Sequence, residues 1–208
     1  MSKKAQQIGK RILARIKSRG RGWVFTPSNF EDMCGRSTVS TNLQRLREAG
    51  QIRQLARGLY DYPETHSKLG VLAPSADAIA KALAGREAIR LQPSGAYAAN
   101  LLGLSTQVPA RMVYLTDGAS RIVQVGNRQI ILKRTTPRNM APAGRISGLV
   151  IQALRHLGKE HVDDEIIAQL NRRLDRAACD QLMKDICYAP GWIAEIFRKL
   201  ANGKAGGA

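Results

Sequence analysis

Gly35-Arg36-Ser37-Thr38-Val39-Ser40-Thr41-Asn42-Leu43-Gln44-Arg45-Leu46-Arg47-Glu48-Ala49-Gly50 is the stretch on which the fold turns. Val39, Leu43 and Leu46 stand at i, i+4 and i+7, the spacing that gathers apolar side chains on one face of a helix. Ser37 is a suitable N-cap. Gly50 fits the position just past the C-terminus, where a left-handed backbone is common. The arc away from the apolar stripe presents Thr38, Ser40, Thr41, Asn42 and Arg45, with Arg36 and Ser37 at the helix start. Short hydroxyl, amide and guanidinium groups of this kind can enter a major groove and meet base edges or phosphates.

Working outward, residues 51–55 and 59–62 read as two short strands, joined through Ala56-Arg57-Gly58 in a tight hairpin. Arg53 and Arg57 fall on that hairpin or at its tip, where they are expected to meet DNA. Upstream, Ile8, Ile12 and Ile16 recur at helical spacing within residues 5–18, and Gly20 and Gly22 end that helix. Trp23-Val24-Phe25 is a short β-prone run. Thr26-Pro27-Ser28 is a turn, and residues 29–33 are expected to form a brief helix. Helix, strand, helix, helix, hairpin is the order of a winged helix-turn-helix. The expected DNA-binding set is therefore Arg36, Ser37, Thr38, Ser40, Thr41, Asn42, Arg45, Arg53 and Arg57.

The charge agrees with an anionic partner. The chain has 208 residues, with 33 Lys plus Arg against 16 Asp plus Glu, a net charge of +17. Residues 1–66 carry +8, residues 67–150 another +8, and residues 151–208 only +1. A charge kept only for solubility would be spread more evenly, and a polyanion such as nucleic acid is the natural counterpart.

Beyond Pro63-Glu64-Thr65-His66-Ser67, which reads as a polar boundary, a small-residue helix is expected from Ala73-Pro74-Ser75 to Ala84. A strand follows over 88–91, and Pro93-Ser94-Gly95 opens a helix over 96–102. Arg111–Thr116, Arg121–Val125 and Arg128–Arg134 then read as a three-stranded antiparallel meander. Its Arg111, Arg121, Arg128, Lys133 and Arg134 form a candidate second basic surface. Helices are expected over 145–157, 163–170, 176–186 and 192–200, and Asn202-Gly203-Lys204-Ala205-Gly206-Gly207-Ala208 reads as a disordered tail. The fold class is thus α+β: a winged helix-turn-helix over 1–66, then a mixed α/β domain over 67–202 with a short antiparallel sheet and a helical C-terminus, and a tail over 203–208.

Several function classes drop out. No stretch approaches the roughly 18–20 apolar residues of a membrane span, and no apolar segment follows the basic start as a secretory signal would require. Cys34, Cys179 and Cys187 are too scattered for a disulfide framework, which makes a reducing cytoplasm the default. Neither G-x-x-x-x-G-K-[ST] nor G-x-G-x-x-G occurs. His156 with His161, and Cys179 with Cys187, match no zinc spacing. Asp163-Asp164-Glu165 reads as helix-start acids, which favour the helix dipole. No catalytic set, metal or cofactor is expected, so an RNA-processing or nucleotide-modifying enzyme is the weakest reading.

The order of motifs carries a family resemblance. Gly50-Gln51-Ile52-Arg53-Gln54-Leu55-Ala56-Arg57-Gly58-Leu59-Tyr60-Asp61-Tyr62-Pro63 resembles the winged-helix end of the AbiE abortive-infection antitoxins. Ser94-Gly95-Ala96-Tyr97-Ala98-Ala99-Asn100-Leu101-Leu102-Gly103-Leu104-Ser105-Thr106-Gln107-Val108-Pro109 is similar to that family's small-residue helix and following loop. Leu132-Lys133-Arg134-Thr135-Thr136-Pro137-Arg138 is similar to its basic strand end. Ala153-Leu154-Arg155-His156-Leu157-Gly158 and Pro190-Gly191-Trp192 resemble its helical C-terminus. The resemblance implies the antitoxin of a type IV toxin–antitoxin pair. Such a protein represses its own operon at inverted repeats of double-stranded DNA through the winged helix. It counteracts a nucleotidyltransferase toxin without a stable complex. Thr38, Thr41, Asn42, Arg45, Arg53 and Arg57 match the DNA-binding elements by position. The alternative is a stand-alone winged-helix transcription regulator whose C-terminal part dimerises or senses a ligand.

Overall fold

A computed structural model describes residues 3–85 and 89–205. The chain forms two compact units, Met1–Ile89 with Val123–Asn127, and Arg90–Ile122 with Arg128–Ala208. The first unit thus continues past residue 66, the end expected for an N-terminal domain.

In the first unit α1 (Lys3–Arg19) leads through β1 (Val24–Phe25) and a 3-10 turn at Pro27–Phe30 to α2 (Arg36–Glu48). The hairpin β2 (Arg53–Ala56) and β3 (Leu59–Asp61) follows, and β3 lies between β1 and β2 in an antiparallel sheet. Ile12 and Ile16 of α1, Val39 and Leu43 of α2, Phe25, Phe30 and Ile52 are all buried in one core. Phe25 stands edge-on to Phe30 at 5.5 Å and lies 4.7 Å from Trp23, centroid to centroid. Burying each such ring removes a large apolar area from water. The Arg15 guanidinium is bidentate to Asp32, both bonds 2.8 Å, and donates to the Asn29 carbonyl at 2.9 Å. It therefore braces α1 against the turn before α2.

Three local expectations are corrected here. The N-cap of α2 is Gly35, with Ser37 inside the first turn. Gly35 is already extended, with φ −60° and ψ 150°, and its carbonyl accepts from the Val39 N–H at 3.1 Å, so the helix starts before Ser37 can cap it. The brief helix expected over 29–33 is the shorter 3-10 turn, set by Pro27 and closed by the Asn29 side chain on the Thr26 N–H at 2.8 Å. The polar segment after β3 is a small ribbon, β4 (Thr65–His66) and β5 (Gly70–Val71), followed by α3 (Ala76–Ala84). Ser75 caps α3 by accepting from the Ala78 N–H at 3.1 Å, and α3 packs on β1.

Where α1 meets α2, Gly9 faces Asn42. A Cβ at position 9 would lie 2.8 Å from Asn42 Oδ1. Gly9→Ala is therefore expected to destabilise the protein by about 1 kcal/mol, an overpacking cost of about 1–3 kcal/mol offset in part by the roughly 0.5–1 kcal/mol that alanine gains over glycine inside a helix, read as a lowered urea midpoint. Adding Asn42→Ser should recover part of the loss by opening space. A double variant that loses the sum of the two single effects would show that the contact is not the cause.

The second unit is built on β6 (Leu91–Ser94), β7 (Arg111–Thr116) and β9 (Arg128–Arg134), strands of a four-stranded sheet with the spatial order β6-β7-β9-β8; β8 (Arg121–Val125) begins in this unit, and its residues Val123–Val125 are grouped with the first. The expected antiparallel meander is corrected. β9 inserts between β7 and β8, and pairs with β7 in parallel from Arg111↔Gln129 to Thr116↔Arg134. The sheet is mixed, since β6 runs antiparallel to β7. Pro93 belongs to β6, pairing with Tyr114, and does not open a helix. An edge strand tolerates a residue that cannot donate to the ladder. Residue 88 of the strand expected over 88–91 lies outside the described residues.

α4 (Gly95–Leu101) follows β6 directly. α5 (Pro137–Met140), α6 (Ile146–Leu157), α7 (Asp164–Arg173), α8 (Arg176–Lys184) and α9 (Gly191–Ala205) complete the unit. Ala98, Ala99, Val150, Ala153, Leu154, Leu170, Leu182, Ile193, Phe197 and Leu200 make its helical core. The small residues of α4 allow its close approach to α6. Asp163 and Asp175 cap α7 and α8 by accepting from the Ile166 and Ala178 N–H groups at 2.9 and 2.7 Å. Asp185 is 2% exposed, accepts from Ser147 Oγ and from Gln181 Nε2 at 2.8 Å, and pairs with Arg145 Nη1 at 2.7 Å. The tail expected to be disordered is helical as far as Ala205, because Gly203 lets α9 continue along Asn171 of α7. Residues 206–208 lie outside the described residues.

Candidate nucleic-acid interface

The buried side of α2 is Val39, Asn42 and Leu43, with Leu46 half-buried. A helix turns by about 100° per residue. The side opposite that stripe therefore gathers Ser37, Ser40, Thr41, Gln44 and Arg45, all exposed, with Arg36 at its leading edge. Ser40 Oγ and Thr41 Oγ1 each donate to the carbonyl one turn back, of Arg36 and Ser37, at 3.0 Å. Those bonds fix both hydroxyls and leave their oxygens able to accept. The Arg36 and Arg45 guanidiniums are exposed and bond to no described residue. Thr38 is half-buried at the margin of this face.

Asn42 departs from the expectation. It is 5% exposed, its Nδ2 donates to the Thr38 carbonyl at 2.8 Å, and its Oδ1 faces Gly9. It lies three residues after Val39 and four before Leu46, within the apolar stripe itself. Its amide packs against Gly9 of α1 and is turned away from solvent.

The two arginines of the hairpin have different places. Arg57 is exposed at the tip, beside Gly58 with φ +71°, the left-handed conformation that lets the turn close. Arg53 lies at the base of β2, directly across from Asp61 of β3. Its Nη2 donates to Asp61 Oδ2 at 2.5 Å and to the Leu72 carbonyl at 2.9 Å, and its Nε to Asp61 Oδ1 at 3.1 Å. Hydrogen bonding to the buried Asp61 carboxylate raises the Arg53 pKa further above its ordinary value. Its guanidinium is tied to Asp61 and the Leu72 carbonyl, and 34% of the side chain remains exposed. Sequence reasoning also missed Arg47, whose Nη1 donates to Gln54 Oε1 at 2.5 Å. That bond ties the end of α2 to β2.

The five residues of the second basic surface, Arg111, Arg121, Arg128, Lys133 and Arg134, are all exposed but do not share one face of the sheet. Arg128 and Arg134 have the parity of the buried Ile130 and Leu132, at the two ends of β9. Lys133 has the opposite parity, as does Arg111 relative to the buried Met112 and Tyr114 of β7. The charge is divided between the strand ends and the opposite sheet face.

Among the described residues, no three His, Cys, Asp or Glu gather into a metal-holding group, and no helix is long and apolar enough to cross a membrane. The molecule is a mixed α+β protein: N-terminal helices on a small antiparallel sheet, a central mixed sheet, and a helical C-terminal part. It belongs to the family of unknown function DUF6088, whose sequence profile matches residues 11–182. No curated protein matches the chain.

Proposed function

We propose that the first unit is a winged helix-turn-helix that binds duplex DNA and represses its own operon. In this reading the whole chain is the antitoxin of a type IV toxin–antitoxin pair directed against a nucleotidyltransferase toxin. One observation carries the DNA-binding part: α2 presents a continuous face of Ser37, Ser40, Thr41, Gln44 and Arg45 opposite its buried stripe, with Arg36 at the margin of that face. The strand order β1-β3-β2 and the exposed Arg57 at the tip of the hairpin support the wing. Phosphate contacts from Arg would supply affinity, and the α2 face would supply sequence preference. The antitoxin part is supported by the motif resemblance alone. No residue is assigned to antitoxicity.

The test uses the full chain and the DNA upstream of its own gene. Footprinting should reveal protected inverted repeats. If ~6–10 phosphates are contacted, affinity should fall by ~10³–10⁵ between 50 and 200 mM salt. Equal affinity for that fragment and for unrelated DNA of the same length would remove the repressor reading. Co-expression with an adjacent nucleotidyltransferase gene should restore growth that the toxin alone arrests. Growth that stays arrested would leave a DNA-binding regulator without the antitoxin role.

A further inference from the structure

The loop after α4 and the end of α7 meet in a part of the molecule that DNA binding does not use. Leu104 N–H donates to the Ala99 carbonyl at 2.9 Å, and Gly103 N–H to the Asn100 carbonyl at 2.8 Å, which closes α4. Asn100 Nδ2 then donates to the Ser105 and Gln107 carbonyls, both at 3.1 Å, and holds the loop in one shape. Gly103 has φ +63°, a backbone region that favours glycine. The Arg173 guanidinium packs so closely on Gly103 that a Cβ there would overlap it. Gly103, Gln169, Arg172 and Arg173 line a solvent-open cavity of about 430 Å³.

Both arginines are exposed, and neither guanidinium bonds to a described residue. Cations at the end of a helix complement its dipole. That accounts for charge at this position, but not for the cavity or for a guanidinium seated on a glycine. Two acids flank the arginines: Asp175, two residues beyond Arg173, whose carboxylate caps α8 through the Ala178 N–H and forms no ion pair with either guanidinium, and Glu165, which Gln169 Nε2 meets at 3.5 Å. Glu165 lies seven and eight residues before the arginines, on the order of 10–12 Å along the axis. At that distance it is largely screened.

We infer that Arg172 and Arg173, with Gln169 and the Gly103 loop, form a binding site for a diphosphate group. A guanidinium presents a planar fork that fits phosphate oxygens bidentately, and two adjacent forks match two linked phosphates. The cavity falls within the size range of small-ligand sites, roughly 300–1,000 Å³. Among the described residues its lining holds no aromatic ring on which a base could stack. Free pyrophosphate and a nucleoside diphosphate should therefore bind about equally. The site does not depend on the DNA-binding reading.

Calorimetric titration of the full chain with pyrophosphate, and separately with ADP, tests this. The Arg172→Gln/Arg173→Gln double variant should weaken both affinities by at least about tenfold, roughly one lost charged contact. The Lys68→Gln/Lys81→Gln variant removes the same charge at exposed positions elsewhere and should bind as the wild type does. A circular dichroism melt of each variant separates loss of the site from loss of the fold. Because both arginines are exposed, the melts should coincide. Equal weakening by the two double variants would reduce the effect to general attraction by a basic protein and overturn the site. So would absence of pyrophosphate binding at millimolar concentration. ADP binding tenfold more tightly than pyrophosphate would overturn recognition through phosphate alone.

Discussion

Alanine at Arg36, Thr41 and Arg45 together is expected to weaken binding of the upstream DNA by about two to three orders of magnitude. Single base or phosphate contacts are worth about 1–3 kcal/mol each, and about 1.4 kcal/mol is a factor of ten. Three such losses add only in part, because neighbouring contacts share one docking geometry. The three side chains are exposed, so the fold should hold, with an unchanged urea midpoint. Arg53→Ala should behave in the opposite way. Its partners are Asp61 and the Leu72 carbonyl, so the midpoint should fall while the DNA footprint keeps its boundaries. A triple variant that remains folded and binds as tightly as the wild type would remove α2 from the interface.

The largest expected loss of stability lies in the second unit. Asp185→Ala removes the acceptor shared by Ser147, Gln181 and Arg145. The Ser147 hydroxyl is left buried without its acceptor, and Gln181 loses the partner of its amide. Removing one side of a buried ion pair usually costs about 3–5 kcal/mol. The Arg145 side chain is 40% exposed and can turn to water, which brings the expected loss to about 2–4 kcal/mol. Asp185→Asn keeps an acceptor for Ser147 and should lose less. Chemical denaturation of the two variants checks the order. A loss under about 1 kcal/mol for the alanine variant would mean that the network contributes little.

Helical periodicity made most of the first unit legible. Ile12, Ile16, Val39 and Leu43 stand in the core where their spacing placed them. The same periodicity could have placed Asn42, whose angle on the helix is that of the apolar stripe. Its polarity suggested solvent, whereas its amide is satisfied by Thr38 within the helix. Arg53 has partners inside the unit that its place in the sequence does not reveal. A hairpin arginine looks exposed until the cross-strand register sets it opposite a buried acid. In the second unit, alternation located β7, β8 and β9, but alternation identifies a strand and not its neighbour. A hairpin can lie beside an earlier strand with either of its arms, and only packing selects β9 as the arm next to β7. β4 and β5 are two residues each, too short for any period to appear. Gly203 looked like the start of a loose tail because a glycine weakens a helix, yet the same lack of a side chain gives α9 room beside Asn171.

Because Val123–Asn127 belong to the first unit, the polypeptide passes between the units three times, near residues 89, 122 and 127. A gene fragment that stops at codon 89 therefore encodes an incomplete version of that unit. The halves cannot be exchanged between homologous genes by a single crossover, and recombination or domain dissection has to preserve two separate stretches of sequence together.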